Sequence, residues 1–395
     1  MGSPLEGLMI LDMTRFLSGP FCTMLLGDMG AQVMKVEPPG VGDDTRAWAP
    51  FIGGQGTYFL STNRNKKSIC VDTRQKPGMD VLKRLINRCD VFVENFKPGL
   101  MDRLGMDFPT MAALNPRLIY CSISGFGQTG PYRDRPGYDQ ILQGMSGLMS
   151  ITGTEESGPV RVGLAIGDIL TALFATYGIL CALHARERTG KGQWVTTSIL
   201  EATVSILTMQ AGKFFATRQP PGPAGNHHPV ISPYGVYRTQ DKPINIAVGT
   251  ETMWKNFCRI IGLPEMEQDV KFQKNNDRVK NRAELNHLIE KALASKTQDE
   301  WVEALNQTGI PCGPIYTLDQ VFQDPQVLHR KMLLEVEHPM VGKIPMTGLP
   351  VQLSENPPQV FLPPPVLGEH TTAVLREFGF TGEEIEHLLA DQVIS

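Results

Sequence analysis

The chain has 395 residues, 41% hydrophobic and 20% charged, enough for about two domains with sizeable cores at roughly 150 residues each; disordered and fibrous classes are excluded. Lys plus Arg number 37 against 41 Asp plus Glu, a formal charge of -4 without any basic block, so the electrostatic footprint that nucleic acid demands is missing. Seven scattered cysteines without a C-x-x-C pair argue against a disulfide framework or a zinc site and for reduced thiols.

The first 125 residues alternate apolar, β-branched runs (Leu8 to Asp12, Gln32 to Val36, Ser68 to Asp72, Val91 to Asn95, Leu118 to Ser122) with helical patterns at Cys22 to Met29, Met79 to Arg88 and Phe108 to Leu114. That alternation predicts an α/β fold with a Rossmann-like, doubly wound parallel sheet, whose ligands bind beyond the carboxyl ends of the strands. A Gly-rich bend (Ser124-Gly-Phe-Gly127, Gly130-Pro131, Pro136-Gly137) leads to helices at Asp139 to Leu148, Ile169 to Arg188 and Leu200 to Phe215, with a strand at Gln193 to Ser198. The apolar stretch Ile169 to Leu183 is too short to span a bilayer and reads as a buried helix, so no membrane is expected as a partner. With no basic leader before Arg15 the expected location is cytoplasmic, or the mitochondrial matrix after removal of a transit peptide. The Pro/Gly segment 220–229 marks a boundary, followed by a hairpin (Gly235 to Arg238, Ile244 to Val248) and three helices (Thr252 to Ile261, Arg282 to Ala294, Gln298 to Asn306), a smaller α+β unit. A second Pro-rich run, 357–365, should be extended, and helices close the chain near Thr371 to Phe378 and Gly382 to Leu389.

Walker loops, H-E-x-x-H and G-x-S-x-G are absent and no G-x-G-x-x-G follows the first strand, so the chemistry must be sought in polar residues in unusual places. Asp168 is the most informative, because it opens a helix whose next fifteen positions carry no charge. It reads either as a plain N-cap or as an ionised nucleophile on the positive end of the helix dipole, and the two are compatible. Arg46, Lys66, Lys67, Arg74, Lys97 and Arg103 follow strand ends, where they would pair with phosphates or face water. Trp48 and Tyr58 flank Gly53-Gly54-Gln-Gly56, as pocket walls or as an edge of the core. His227 and His228 have no carboxylate or Cys at ligand spacing, so no metal is expected.

The blocks Leu11-Asp-Met-Thr-Arg15, Val33-Met-Lys-Val-Glu-Pro38, Gly42-Asp43-Asp-Thr-Arg46, Asn65-Lys-Lys-Ser68, Val91-Phe-Val-Glu-Asn-Phe96, Gly137-Tyr-Asp139, Gly167-Asp168, Gly309-Ile-Pro-Cys-Gly-Pro314 and Leu367-Gly-Glu-His370 run in order along nearly the whole chain. In them the sequence resembles the family III CoA-transferases, which include formyl-CoA:oxalate and glutarate CoA-transferases and share a fold with α-methylacyl-CoA racemase. The resemblance implies that Asp168 attacks an acyl-CoA thioester and carries CoA as an aspartyl thioester to a small carboxylic acid, with succinyl-CoA as an expected donor and a dicarboxylate as the favoured acceptor. CoA, taken as acyl-CoA substrate, is then expected on Arg15, Phe16, Leu17 and Ser18, on Val71, Asp72, Thr73 and Arg74, on Asn95, Phe96, Lys97 and Arg103, and on Pro136, Gly137, Tyr138 and Asp139. Trp48, Tyr58, His227 and His228 are expected at the acyl pocket. Where the oxalate enzyme has a pocket glutamine this chain has Leu17, and its long glycine loop is replaced by the shorter Gly222 to Pro229. The racemase has its catalytic histidine where this chain has Tyr138, and a phenol of pKa about 10 is a poor proton shuttle at neutral pH; a CoA-binding protein with an idle Asp168 is the reading from another class. The resemblance further implies an interlocked homodimer, with a large domain from 1–220 and 326–395 and a small one from 226–325.

Overall fold

The computed structural model describes residues 2–395. The chain forms two compact units, the larger from residues up to 149, 161–219 and 326–395, the smaller from 150–160 and 220–325.

The larger unit is built on six parallel strands: β1 (Met9–Asp12), β2 (Gln32–Glu37), β3 (Lys66–Cys70), β4 (Val91–Glu94), β5 (Ile119–Ser124) and β6 (Gln193–Ser198). Their spatial order is β3-β2-β1-β4-β5-β6, so the winding reverses between β1 and β4. The central strands are covered on both faces, which is why Met9 to Leu11 and Val91 to Val93 read as unbroken apolar runs rather than alternating ones. Between strands run α1 (Ser18–Asp28), α2 (Lys76–Ile86, with Pro77 in its first turn), and α3 (Phe108–Leu114, capped by Asp107 accepting the Thr110 N–H at 3.0 Å). One core layer joins Leu11, Met34, Ile69, Leu82 and Phe92 to Val374, Leu375 and Ile385 of the two closing helices; the other joins Ile10, Val33, Val93 and Ile123 to Ala172, Ala175 and Ile179. The Pro-rich run 357–365 forms neither helix nor strand and bends at Leu362 and Pro364. Asn65, at φ +60°, exchanges backbone and side-chain bonds with Phe361 and Leu362 and fixes it to the sheet edge.

After α4 (Asp139–Met145) comes α5 (Ile166–Thr189), a 24-residue helix ended by Gly190 at φ +67°. The expectation of a buried helix is corrected here. Thr171, Ala172, Ala175, Ile179 and Ala182 form a buried face whose small side chains allow close packing on α1 and the sheet, while Leu173, Phe174, Tyr177 and Leu180 remain exposed. The helix expected at Leu200 to Phe215 divides into α6 (Ile199–Ser205) and α7 (Thr208–Thr217) at Thr208, whose φ is +29°; no residue of α7 is buried. The hairpin Leu333–His338/Gly342–Thr347 is an element that the sequence reading does not contain.

The smaller unit holds an antiparallel sheet of Tyr234–Arg238, Pro243–Ala247 and Cys312–Pro314, of which the third strand is not among the expected elements. Helices Glu251–Ile260, Arg282–Leu293 and Gln298–Gln307 cover it, and Trp254, Phe257, Leu285, Ile289, Trp301 and Leu305 fill its core.

Candidate active site

A doubly wound sheet opens a crevice where the strand order reverses, beyond the carboxyl ends of the two strands involved. Here those strands are β1 and β4, and the loops that follow them, Met13 to Leu17 and Asn95 to Pro98, are locked together. The Arg15 N–H donates to Asn95 Oδ1 at 2.8 Å, and Asn95 Nδ2 donates to the Arg15 carbonyl at 2.8 Å. This pair of bonds holds Phe16 at φ +68°, a left-handed conformation that costs a side-chain-bearing residue roughly 1 kcal/mol. Beneath the loop lies a fully buried ionic lattice. Lys35 pairs with Asp43 (2.9 Å) and donates to the Thr14 carbonyl (2.8 Å), while Lys66 pairs with Asp12 (3.1 Å). Against the upward push of burial, Lys66 and Lys35 hold the Asp12 carboxyl down at about 2. Lys66 therefore neither meets phosphate nor faces water, Arg46 is bound to Glu37 and stacked over Phe59, and Lys67 is paired with Glu377. The expectations for Lys66 and Arg46 are corrected by partners that a linear reading does not bring together, while Lys67, in a partly exposed pair, still faces water. Because Asn95 supplies two bonds to one loop, Asn95→Ala is expected to lower fold stability by about 1–3 kcal/mol, measurable by denaturant unfolding.

The crevice contains a cavity of about 280 Å³ whose walls include Arg15, Phe16, Ser18, Asn95, Phe96, Lys97, Pro136, Gly137, Tyr138 and Asp168. Ten of the expected site residues thus meet in one place. Gly125 and Gly137 press their backbones together at its floor: a Cβ on Gly125 would lie 2.9 Å from the Gly137 Cα. Asp168 projects from the first turn of α5, but it is the third residue of the helix and not its cap, so the plain N-cap reading is overturned. The capping is done from α4. Asp139 Oδ1 accepts the Gly167 N–H at 2.8 Å, and Oδ2 accepts Gln143 Nε2 at 2.7 Å. Gly167 is required by this arrangement, since a Cβ there would stand 2.7 Å from Ile199 Cγ2 and 2.9 Å from Asp139 Oδ1.

Burial first, and the charge of Asp139 second, push the Asp168 carboxyl up to about 7, with the Ser18 hydroxyl opposing them as a hydrogen-bond partner. The expectation of a fully ionised carboxylate is corrected accordingly: the helix dipole, a modest field confined to the first turn, does not offset desolvation and a second carboxylate. A carboxylate poised near neutrality is a stronger nucleophile than one held low, because nucleophilicity rises with basicity.

An aromatic wall adjoins the cavity. The Phe16 ring lies 5.7 Å from Trp48 and 6.3 Å from Tyr138, and Trp48 meets Tyr58 edge-on at 5.3 Å. Burial and the charges of Asp168 and Asp139 raise the Tyr58 hydroxyl above its ordinary range. Leu17 is not on the cavity wall, and neither are Val71, Asp72, Thr73 and Arg74. Arg74 is 87% exposed and folds back on Asp72 at 2.8 Å. Arg103 is exposed at the end of the helix Leu100–Arg103; a Cβ on Gly99 would sit 3.8 Å from a guanidinium nitrogen of both Arg103 and Arg133. Arg133 and Arg135, which do line the cavity, are not singled out by the sequence reading. The available signal is their position in the Gly-rich bend just before Pro136. His227 and His228 belong to the smaller unit: His227 Nε2 lies 3.2 Å from Asn286 Nδ2 with its ring against Tyr237, and the His228 ring lies 5.0 Å from Tyr234. No group of three or more His, Cys, Asp or Glu that could hold a metal ion occurs among the described residues.

The geometry thus comprises a mixed α/β chain with a parallel, doubly wound sheet, a switch-point cavity with cations in its wall and a desolvated carboxylate at a helix start. Comparison with known proteins gives the family. The family model for CoA-transferase family III matches residues 5–371. Succinyl-CoA:glutarate CoA-transferase of Mus musculus is 44% identical over 99% of this chain and 90% of its own length, and acetyl-CoA:oxalate CoA-transferase of Acetobacter aceti is 40% identical over 95% and 96%. The crystal structure of a CAIB/BAIF family protein from Brucella suis superposes with a TM-score of 0.85 at 38% identity, covering 96% of this chain and 100% of that one. The chain belongs to CoA-transferase family III, and it is an enzyme that moves CoA between an acyl-CoA and a carboxylic acid.

Proposed function

We propose that the chain transfers CoA from succinyl-CoA to a short dicarboxylic acid through a covalent thioester on Asp168. The observation that carries this reading is the Asp168 carboxyl, desolvated and set on a rigid helix start in the wall of the switch-point cavity. An Asp168 oxygen attacks the thioester carbonyl and expels the CoA thiolate, leaving a mixed anhydride. The thiolate then attacks the aspartyl carbonyl, releasing succinate and forming the aspartyl-CoA thioester. The acceptor carboxylate attacks that thioester, again expelling thiolate, which finally takes the acceptor's acyl group and frees Asp168. Each step exchanges one acyl bond for another, so no net proton or redox partner is required. Arg15, Lys97, Arg133 and Arg135 give the cavity the cations that CoA phosphates need, and the Phe16, Trp48, Tyr58 and Tyr138 rings exclude water from the anhydride. Preference for a dicarboxylate is supported by the glutarate specificity in the name of the mouse relative. The test is an acceptor screen with succinyl-CoA read by mass spectrometry, with borohydride or hydroxylamine trapping at Asp168 during turnover. Untrapped Asp168 in an enzyme that turns over would refute the covalent route.

The same proposal includes a homodimer, interlocked as the family resemblance implies. Leu173, Phe174, Tyr177 and Leu180 on α5, with Met209, Phe214 and Phe215 on α7, are exposed apolar side chains of a kind that a second copy would cover. Light scattering at micromolar concentration is expected to return the mass of two chains, and a monomer mass would reject the pairing.

A further inference from the structure

The smaller unit, we infer, carries an oxyanion site of its own, in which Arg282 and the Tyr237 hydroxyl hold the carboxylate or phosphate head of a small molecule. Both residues line a cavity of about 660 Å³ whose walls come wholly from residues 150–160 and 220–325. Arg282 opens the helix Arg282–Leu293, and Tyr237 lies on the strand Tyr234–Arg238. The guanidinium is fixed from one side, because Nη2 donates to the His228 carbonyl at 2.7 Å and to the Ile231 carbonyl at 3.2 Å. Among the described residues no carboxylate pairs with it, and the Tyr237 hydroxyl is the one charge-bearing group that acts on it against the push of burial. Tyr237 is 1% exposed, and its hydroxyl, beside the Tyr234 N–H, finds no acceptor for its own proton among the described residues. A third member of the wall is His227. Burial first, and the charge of Arg282 second, hold its imidazole below the ordinary value, and the same charge opposes the rise that burial causes in Tyr237. The guanidinium therefore stands within electrostatic reach of both rings.

A half-buried cation without a counter-charge and a buried hydroxyl proton without an acceptor are defects of one kind, and a single anion relieves both. The planar fork of Arg282 and the phenol supply directed donors plus a permanent charge, which match the oxygens of a carboxylate or a phosphate. The cavity also contains carboxylates, and these restrict the rest of the ligand. Glu155 and Glu156 are exposed in its wall. Glu290 accepts the Arg238 N–H at 3.1 Å and acts on His227 and Tyr237, but it is not among the groups acting on Arg282. A second anionic group on the ligand would meet these acids, so the remainder is neutral or bears hydrogen-bond donors. The cavity volume falls in the range of roughly 300–1,000 Å³ usual for small-molecule sites, so the anionic head is one end of a larger ligand.

The experiment follows the His227 ring by NMR in the full chain, isotope-labelled at histidine Cε1, with the His227 signal assigned by its loss in His227→Gln. Inorganic phosphate and, separately, acetate are titrated at constant ionic strength. An anion seated on Arg282 favours imidazolium nearby, so the expected result is a saturable shift of the His227 signal and a titration moved to higher pH. Tyr237→Phe removes only the hydroxyl and is expected to weaken that binding about tenfold, and Arg282→Gln to weaken it tenfold or more, the scale of hydrogen bonds to a charged group. Saturation by phosphate alone assigns a phosphorylated ligand, by acetate alone a carboxylate, and by both an oxyanion of either source. If Arg282→Gln fails to fold because two carbonyls lose their donor, Tyr237→Phe decides alone. A His227 signal that follows neither anion, or an affinity unchanged in Tyr237→Phe, overturns the inference. CoA transfer does not enter this readout, so the outcome is independent of the reaction proposed above.

Discussion

Asp168→Asn is expected to reduce CoA transfer by about four orders of magnitude or more, the scale seen when a covalent nucleophile is removed and only binding remains, and at the same time to make the protein more stable. Both effects have one cause. In the unfolded chain an aspartate ionises near pH 4, whereas in the folded chain burial and Asp139 delay ionisation until about 7. The folded carboxyl therefore binds its proton more tightly than the unfolded one, so stability is lost as pH rises from about 4 to about 7 and the penalty is complete above that. The asparagine side chain is nearly isosteric with aspartate and never ionises. Thermal melts should show the variant several degrees more stable at pH 8, with the gain shrinking through pH 6 and vanishing near pH 4. A variant that is inactive but gains nothing at pH 8 would mean that Asp168 is solvated, contrary to the environment described above. The comparison also separates an enzyme from a CoA-binding protein with an idle carboxylate: in the latter the same stability gain would come with no catalytic loss.

Much of this arrangement is legible in the amino-acid sequence, for identifiable reasons. Strands buried on both faces announce themselves as apolar runs, so Met9 to Leu11 and Val91 to Val93 disclose the sheet, and the sheet discloses where ligands go. Asp168 stands out because it is a lone charge at the head of an apolar helix. What is not legible depends on partners distant in the chain. The Asp139 carboxylate caps the Gly167 N–H from 28 residues away, and this contact places the two acids together, so that the Asp139 charge adds to burial in moving the Asp168 carboxyl upward. Lys66 reads as a phosphate partner or a surface charge because Asp12 reaches it only after strands pair. Arg133 and Arg135 sit in a bend without periodicity, where nothing distinguishes a cavity-lining arginine from a solvated one. The outer face of α5 misleads in the opposite direction: an apolar side chain facing away from the sheet looks, in one dimension, the same as one facing it.

Asp139→Asn is expected to shift the acidic limb of the kcat/KM profile, which reports ionisation in the free enzyme, to lower pH by roughly one unit, the change that loss of one nearby like charge produces. The groups that face this pair are few: Ser18 beside Asp168, Gln143 and Arg161 beside Asp139, and Tyr58, which feels both carboxylates. None of the others is an anion near neutral pH, so removing the Asp139 charge leaves burial as the principal force raising Asp168. The side-chain amide introduced by Asp139→Asn can still accept the Gly167 N–H through its oxygen, but its nitrogen then confronts Gln143 Nε2, a donor against a donor where the parent had a 2.7 Å bond. The Gln143 amide cannot rotate without surrendering its oxygen's bond to the Val162 N–H. The helix start should loosen, and kcat on the alkaline plateau should fall by about tenfold, the cost of one charge-assisted bond. The two consequences oppose each other below pH 7, where more of the nucleophile is ionised but it is less well placed, so the variant is expected to retain a larger fraction of parental activity at pH 6 than at pH 8. A limb that stays at its parental position while the plateau falls would show that Asp139 holds Asp168 in place without setting its charge, and burial alone would then account for a nucleophile that ionises near neutrality.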